Sequence, residues 1–391
     1  MLKMAKLKKS PEVRFDGYTE DWQVEVLEDI ADIGDGLHGT PNYTESGSIY
    51  FINGNNLING KIHVNNETKK VVLEEQSIAD KELNQNTILL SINGTIGNLA
   101  FYQGESVMLG KSVAHIKLKV PSKFFIYHYL KSPFIQNYFL ANLTGSTIKN
   151  LGLKTIRETE IWSPSEEEQI LLGTFFENLD SLIQNHKTQL TKLKNLKKAM
   201  LVKMFPQEDA TVPEIRFKGF DGDWEFSSFE DVFNYHRPDP YIVTSTEYSN
   251  DYKTPVLTAN KAFVLGYTLE KNTFNQESII FDDFTLDSKY VDFPFMVKSS
   301  ALKILTIKEV KKFDLYFSFE LLRNTKIEVM GHARHYIAVV QPTKVLAPKL
   351  DEQMRISKYL KNLDDLIENH NKQLKKLNNI KKACLSKMFV A

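Results

Sequence analysis

Two stretches of this chain occur twice, at two different spacings. Pro11-Glu12-Val13-Arg14-Phe15-Asp16-Gly17 returns as Pro213-Glu214-Ile215-Arg216-Phe217-Lys218-Gly219, with Trp22 matched by Trp224, at an offset of 202 residues. Asn178-Leu179-Asp180-Ser181-Leu182-Ile183-Gln184-Asn185-His186 returns as Asn362-Leu363-Asp364-Asp365-Leu366-Ile367-Glu368-Asn369-His370, at an offset of 184. This second match runs on without a gap, from Lys197-Lys198-Ala199 and Lys203-Met204-Phe205 to Lys381-Lys382-Ala383 and Lys387-Met388-Phe389. Internal repeats decide the architecture before any local pattern does. The segment between the matched blocks is 18 residues shorter in the second half. Each half is therefore a short lead-in motif, a variable insert and a constant segment. A chain that repeats its frame and varies its inserts presents two different surfaces on one support.

The constant segments read as long helices. Between Ser165 and Met204 there is no proline and one glycine, Gly173. Leu179, Ile183, His186, Leu190, Leu193, Lys197, Met200 and Met204 follow alternating steps of four and three, the seam of a coiled coil. Leu363, Ile367, His370, Leu374, Leu377, Lys381, Cys384 and Met388 repeat it. Ser165 and Glu168 have the spacing of a capping box, and acidic first turns with lysine-rich last turns suit the helix dipole. About 40 residues at ~1.5 Å each give a rod of roughly 60 Å. The expected partner of each helix is the other, antiparallel, which carries the inserts to opposite ends and brings the chain termini together. Lys192, Lys194, Lys197, Lys198 and Lys203 read as a solvated or partner-facing face, and Cys384 as a seam residue.

The inserts, about 20–160 and 225–346, are rich in aromatic and β-branched residues and read as mixed α+β. Val113-Ala114-His115-Ile116-Lys117-Leu118-Lys119 alternates like a half-buried strand. Pro121 to Asn142 reads as helix interrupted at Ser132-Pro133, with a counterpart from Phe313 to Arg323. Met108–Ala114 can be set beside Phe295–Ala301, which pairs Lys111 with Lys298. A polar loop follows in each insert, Thr144–Asn150 in the first and Gly331–Tyr336 in the second.

Motifs for chemistry are sparse. Lys+Arg and Asp+Glu both number 49, so there is no strongly basic tail. A single cysteine excludes an intrachain disulfide and a cysteine zinc site, and fits a reducing cytosol. The basic start Met1–Lys9 has no apolar core behind it and does not read as a signal peptide, and no apolar run is long enough for a membrane span. Gly34-Asp35-Gly36-Leu37-His38-Gly39 has dinucleotide-fingerprint spacing, but the turn chemistry of Thr40-Pro41-Asn42-Tyr43 follows where a helix is needed. His332 and His335 lack a third ligand nearby in sequence. Asp282-Asp283 suggests a metal-dependent nuclease but lacks the carboxylate-x-Lys partner. No side-chain set assembles an active site, so no catalytic or metal-binding residue is expected.

Loop residues suited to phosphates and base edges remain. They are Asn93, Thr95, Lys111, Thr147, Lys149 and Asn150 in the first half, and Lys289, Lys298, His332, Arg334 and His335 in the second.

The arrangement resembles the specificity (S) subunit of type I restriction–modification systems over nearly the full chain. The twin lead-in motifs Pro11–Trp22 and Pro213–Trp224 and the twin helix ends Lys197–Phe205 and Lys381–Phe389 carry the resemblance. So do Ile92–Gly97 and Phe281–Thr285, which look like target-recognition-domain segments, and Pro164 with Glu168-Gln169 and Pro348 with Glu352-Gln353, which look like helix entrances. The resemblance implies an α+β pseudo-two-fold tandem repeat: two mixed α/β target recognition domains separated by two long antiparallel coiled-coil helices. The expected divisions are 1–162, 163–206, 207–346 and 347–391. It implies a non-catalytic subunit that reads an asymmetric bipartite DNA site, with the helices as ruler and docking surface. Two methyltransferase (M) subunits and restriction (R) subunits would be its partners in the cytoplasm, and S-adenosylmethionine, ATP and Mg would bind those partners. Zero net charge implies weak DNA binding by the chain alone. The competing expectations are a Mg-dependent nuclease using Asp282 and Asp283, and a scaffold that never touches DNA.

Overall fold

Contacts divide the chain across both repeats. One unit draws on 1–187 and 372–391, the other on 188–371. The structure, a computed structural model, describes residues 10–147, 149–207, 210–259, 262–327 and 336–390.

In the first unit β1 (Ala31–Asp35), β2 (Ile49–Ile52), β3 (Thr87–Ser91), β4 (Leu99–Phe101), β5 (Val107–Leu109) and β6 (Val113–Leu118) precede α1 (Lys123–Leu130) and α2 (Pro133–Ala141). The main sheet is antiparallel in the order β1-β6-β3-β4. In a second sheet β2 lies between Lys70–Val71 and a parallel β5. The alternation of β6 suggested one wet face, but only Lys117 of its six residues is not buried. Its sheet has a core on each side. Ile88, Leu90, Ala114 and Ile116 pack with α1, whereas Leu89 and Val113 pack with Ile52 and Leu109. His115 fits because a Cβ on the opposing Gly34 would lie 2.7 Å from its ring. Lys117 keeps its charge in ion pairs to Asp32 at 2.9 Å and Glu82 at 3.0 Å. The helical stretch breaks before Pro133, as expected. No helix follows Asp35: Gly36 instead passes so close to β5 that a Cβ would sit 2.0 Å from the Leu109 carbonyl oxygen. That glycine serves packing, not a dinucleotide.

α3 (Glu166–Lys203) begins at a clasp. Arg14 donates to both carboxylate oxygens of Glu168, at 2.8 and 2.7 Å, and to the Glu20 carbonyl at 2.7 Å. Glu168 is 1% exposed, so its charge is balanced by Arg14 rather than by water. The expected capping box is thus only half present. Ser165 Oγ lies 3.5 Å from the Glu168 amide, but the Glu168 carboxylate belongs to Arg14. Gln169 holds the Pro164 carbonyl at 3.0 Å.

The second unit repeats this plan with β7 (Phe233–His236), β8 (Thr254–Leu257), β9 (Ser278–Asp282), β10 (Ser288–Val291), β11 (Met296–Val297), β12 (Leu302–Ile307), α4 (Leu315–Asn324) and α5 (Leu350–Lys387). Its main sheet runs β7-β12-β9-β10, and β8 lies between Val264–Thr268 and a parallel β11. Arg216 grips Glu352 at 2.7 and 2.8 Å, and Gln353 holds the Pro348 carbonyl at 2.7 Å. The ladders correct one expectation. Gly110 donates to Ile52 at 2.9 Å and Lys298 to Leu257 at 2.8 Å, so Lys298 matches Gly110, not Lys111. The loop entering β12 is one residue longer, and a comparison anchored on the two lysines slips by that residue.

Within each unit the end of one repeat's helix completes the other repeat's core. In the first, Phe389, just past α5, stacks on Phe176 of α3 at 5.3 Å and packs against Phe125 and Tyr129. Lys381 pairs with Asp180, so α3 and α5 run antiparallel there. The Val13 amide bonds the Lys387 carbonyl at 2.9 Å. In the second unit Phe205 stacks on Phe317 at 5.4 Å and meets Trp224, and the Ile215 amide bonds the Lys203 carbonyl at 2.8 Å.

The seam is as spaced. Leu179, Ile183, Lys197, Met204, Leu363 and Met388 are buried, while His186, Leu190, Leu193, Met200, Ile367, His370, Leu374, Leu377, Lys381 and Cys384 are half-buried. Lys197 is a correction: it is not on a solvated face but buried between Glu320 and Asp364, each at 2.6 Å. Its seam position sets its surroundings, and the two carboxylates make burial tolerable. Burial raises the Cys384 thiol above its ordinary range, as suits a packing residue.

Candidate nucleic-acid interface

In the first unit three connections meet at one end of the main sheet: the β3–β4 turn, the β5–β6 loop and the hairpin of Leu143–Thr144 with Asn150–Leu151. Backbone bonds join them. The Ile92 amide donates to Ser112 at 2.9 Å, and Leu151 to Ile92 at 2.9 Å. Asn93 forms a bridge with Asn150 and donates its side-chain amide to the Lys111 carbonyl at 3.3 Å. Ser112 is held from below by Asn53 at 3.0 Å, and its hydroxyl accepts the Gly54 amide at 2.9 Å. All six first-half candidates therefore lie on one surface, although Asn93 and Thr147 are 54 residues apart in sequence. Lys111, Thr147, Lys149 and Thr95 are exposed, while Asn93 and Asn150 are half-buried and tie the loops together. The Thr95 hydroxyl lies 3.2 Å from Ser91 Oγ, which braces the turn from inside.

The matching end of the second unit carries one of the same backbone links and different side chains. The Asp283 amide donates to the Ala301 carbonyl at 3.2 Å, joining the β9–β10 turn to the β11–β12 loop as Ile92 and Ser112 do in the first unit. Lys298 is half-buried. Its ammonium donates to the Tyr248 hydroxyl at 2.9 Å and lies over that ring. Lys289 is exposed on edge strand β10 and pairs with Asp287 at 2.7 Å, which offsets its charge. His332, Arg334 and His335 lie outside the described residues, as does most of Gly331–Tyr336.

The two aspartates proposed for a nuclease are occupied, Asp282 by its own turn and Asp283 by residues outside it. Asp282 accepts from the Phe284 amide at 3.1 Å and the Thr285 hydroxyl at 2.5 Å. Asp283 accepts from the Tyr336 amide at 2.8 Å and lies 3.3 Å from the buried Lys303 ammonium. Among the described residues no cluster of three or more His, Cys, Asp or Glu could hold a metal. The carboxylates build a turn whose tip is Phe284, 70% exposed. Sequence reading missed Phe284, because an aromatic in Phe281-Asp282-Asp283-Phe284-Thr285 looks like core until the strand is seen to end at Asp282. An exposed aromatic at such a tip can stack on a base or wedge between base steps.

The sequence matches the family described as the type I restriction modification DNA specificity domain twice, over 19–195 and 221–379. The chain belongs to this family. The specificity family thus accounts for both halves of the repeat. The chain is 26% identical, over 94% of its length and 92% of the relative's, to the MjaX type I restriction enzyme specificity subunit of Methanocaldococcus jannaschii. It is 37% identical over 130 residues, 32% of either chain, to the EcoR124I/EcoR124II specificity subunit of Escherichia coli. Its fold is similar to the type I restriction-modification system S subunit of M. genitalium, with a TM-score of 0.72, 18% identity and coverage of 98% of this chain and 99% of the other. Among the described residues no helix is long and apolar enough to cross a membrane. Neither the nuclease nor the scaffold reading is supported by these likenesses.

Proposed function

We propose that each unit of this specificity subunit reads one half of an asymmetric, bipartite DNA site, and that catalysis belongs to partner subunits. The observation carrying this reading is the pair of loop ends, built on matching strands and a matching backbone bond but carrying unlike side chains. Asn93, Thr95, Lys111, Thr147, Lys149 and Asn150 face one half-site. Phe284, Lys298 and Lys289 face the other, to which His332, Arg334 and His335 are assigned by residue type alone. Exposed lysines supply phosphate contacts, and the amides, hydroxyls and Phe284 contact bases.

The duplicated helices act as a ruler and as the docking surface for two M subunits, and R subunits join that cytoplasmic assembly. S-adenosylmethionine, ATP and Mg bind the partners. Lys+Arg and Asp+Glu balance at 49 each, so tight binding at physiological salt requires the M subunits. Mobility-shift titrations of one duplex, with and without co-purified M subunits, test this. Tight sequence-specific binding by the isolated chain contradicts the division of labour, as does Mg-dependent DNA cleavage by it.

A further inference from the structure

A cavity of 590 Å³ lies in the first unit beside α1, walled by Phe101, Phe124 and Tyr127 and closed on the α3 side by Asp180 and Gln184. It is apart from the DNA-reading loops, because Phe101 ends β4 on the side away from the β3–β4 turn. Two ammonium groups meet there. Lys381 pairs with Asp180. Lys131 donates to the Tyr127 hydroxyl at 3.3 Å and lies over the Tyr127 ring, and no carboxylate among the described residues comes within ion-pair distance of it. Next to them His128 is 1% exposed, stacks on Phe176, and leaves Nδ1 without a hydrogen-bond partner.

The second unit has the same layout with different charges. The Phe101–Phe124 contact at 5.2 Å is matched by Tyr290–Tyr316 at 5.1 Å. By position in the repeat, Lys381 corresponds to Lys197, Asp180 to Asp364, Lys131 to Arg323 and His128 to Glu320. Glu320 and Asp364 each bond Lys197 at 2.6 Å, and Glu320 also meets Arg323 at 3.4 Å. There Lys197 and Arg323 meet two carboxylates, whereas in the first unit Asp180 pairs with Lys381 and the neutral His128 stands beside Lys131 in the place of Glu320; Glu177 also lines the cavity but is in no ion pair with either ammonium group. Ser181 and Gln184, which line the cavity, stand where the second half has Asp365 and Glu368.

Placing cations in a partly desolvated site without counter-charge is unfavourable. Burial accordingly lowers Lys131 to about 8, and the neighbouring Lys381 ammonium acts in the same direction. His128 is held neutral, chiefly by burial, and supplies no negative charge. We propose that this cavity is an anion site for a small phosphate-bearing ligand, whose phosphate replaces the missing carboxylate between Lys131 and Lys381. The ammonium groups and the Tyr127 hydroxyl offer several donors to the oxygens of one phosphate. The volume leaves room for a nucleoside-sized body against the aromatic wall.

Calorimetric titration of the full chain with inorganic phosphate and with adenosine monophosphate tests the site. Both probes are expected to bind saturably, the nucleotide more tightly. Lys131→Met should weaken both by at least about tenfold. His128→Glu, which installs the carboxylate of the second unit, should abolish binding while the melting temperature stays level or rises. Its thermal transition separates loss of the site from loss of the fold. Absence of saturable heat in the unaltered chain overturns the proposal, as does undiminished binding by a folded His128→Glu chain. Competition by duplex DNA for the bound phosphate overturns the assignment to a small ligand and gives the site to the DNA backbone.

Discussion

The frame and the reading ends of the two units diverge to different extents. The clasps Arg14–Glu168 and Arg216–Glu352 agree within 0.1 Å, and so do the main-chain bonds Val13–Lys387 and Ile215–Lys203. At the loop ends one backbone link survives, Ile92 to Ser112 in the first unit and Asp283 to Ala301 in the second. After Ile92 the first unit has Asn93-Gly94-Thr95, and after its counterpart Asp283 the second has Phe284-Thr285. Glu168 and Glu352 are 1% and 2% exposed, so losing either partner strands a buried charge. Thr95, Lys111, Thr147, Lys149 and Phe284 face water, and exchanging them costs the fold little. What is costly to change holds each unit together within itself, and what is inexpensive to change is free to vary.

The largest expected effect comes from breaking the shared frame. Glu168→Ala and Glu352→Ala should each destabilise their own unit by about 3–5 kcal/mol, because each strands a guanidinium at a helix start. Denaturant melting with fragment-resolved hydrogen exchange checks this, and very unequal losses contradict the equivalence of the clasps. A smaller effect sharpens the difference between the units. Asp180→Asn should cost about 3 kcal/mol, since among the described residues Asp180 is the one carboxylate paired with Lys381, whereas Asp364→Asn should cost about half as much, because Glu320 still holds Lys197.

The smallest effect is on acid stability. Burial lowers His128 well below its ordinary 6.5, and the Lys381 and Lys131 ammonium groups add to that. Asp180, 3.8 Å from Nε2, is the carboxylate facing it. Burial also lowers His115, with Asp32, Asp35 and Asp80 opposing and Lys117 reinforcing. A folded value below the unfolded one means that stability is full above pH 6.5 and falls as the pH drops through it. The second unit has Glu320 in place of His128. Hydrogen-exchange protection factors, referred to the intrinsic rate at each pH, should therefore fall in α1 before α4 on lowering the pH from 7 to 5 (about two units, spanning the unfolded value). Simultaneous loss of protection contradicts the assignment.

Much of the frame was legible because its constraints are local and repeated. The heptad steps from Leu179 to Met204 mark a face that is buried or half-buried at every position, and Trp22 and Trp224 mark the two cores. Lys197 was misread because its counter-charges, Glu320 and Asp364, are 123 and 167 residues away, and sequence spacing carries no trace of them. β6 was misread as half-buried for a related reason: alternation reveals two faces but not what covers the second. The first-half loop residues were found by type, yet their convergence depends on the main-chain links through Ile92 and Ser112, which leave no residue signature. Phe284 escaped because exposure is a property of where a strand stops.

The account rests on two independent readers, one at each loop end. Exchanging Asn93, Thr95, Lys111, Thr147 and Lys149 together for alanine, followed by single-molecule mapping of methylated adenines in cells carrying the M subunits, tests this most directly. The predicted result is a methylated motif in which one half is relaxed while the other half and the spacer length are unchanged. Equal loss of both halves, or a motif identical to the original, contradicts it.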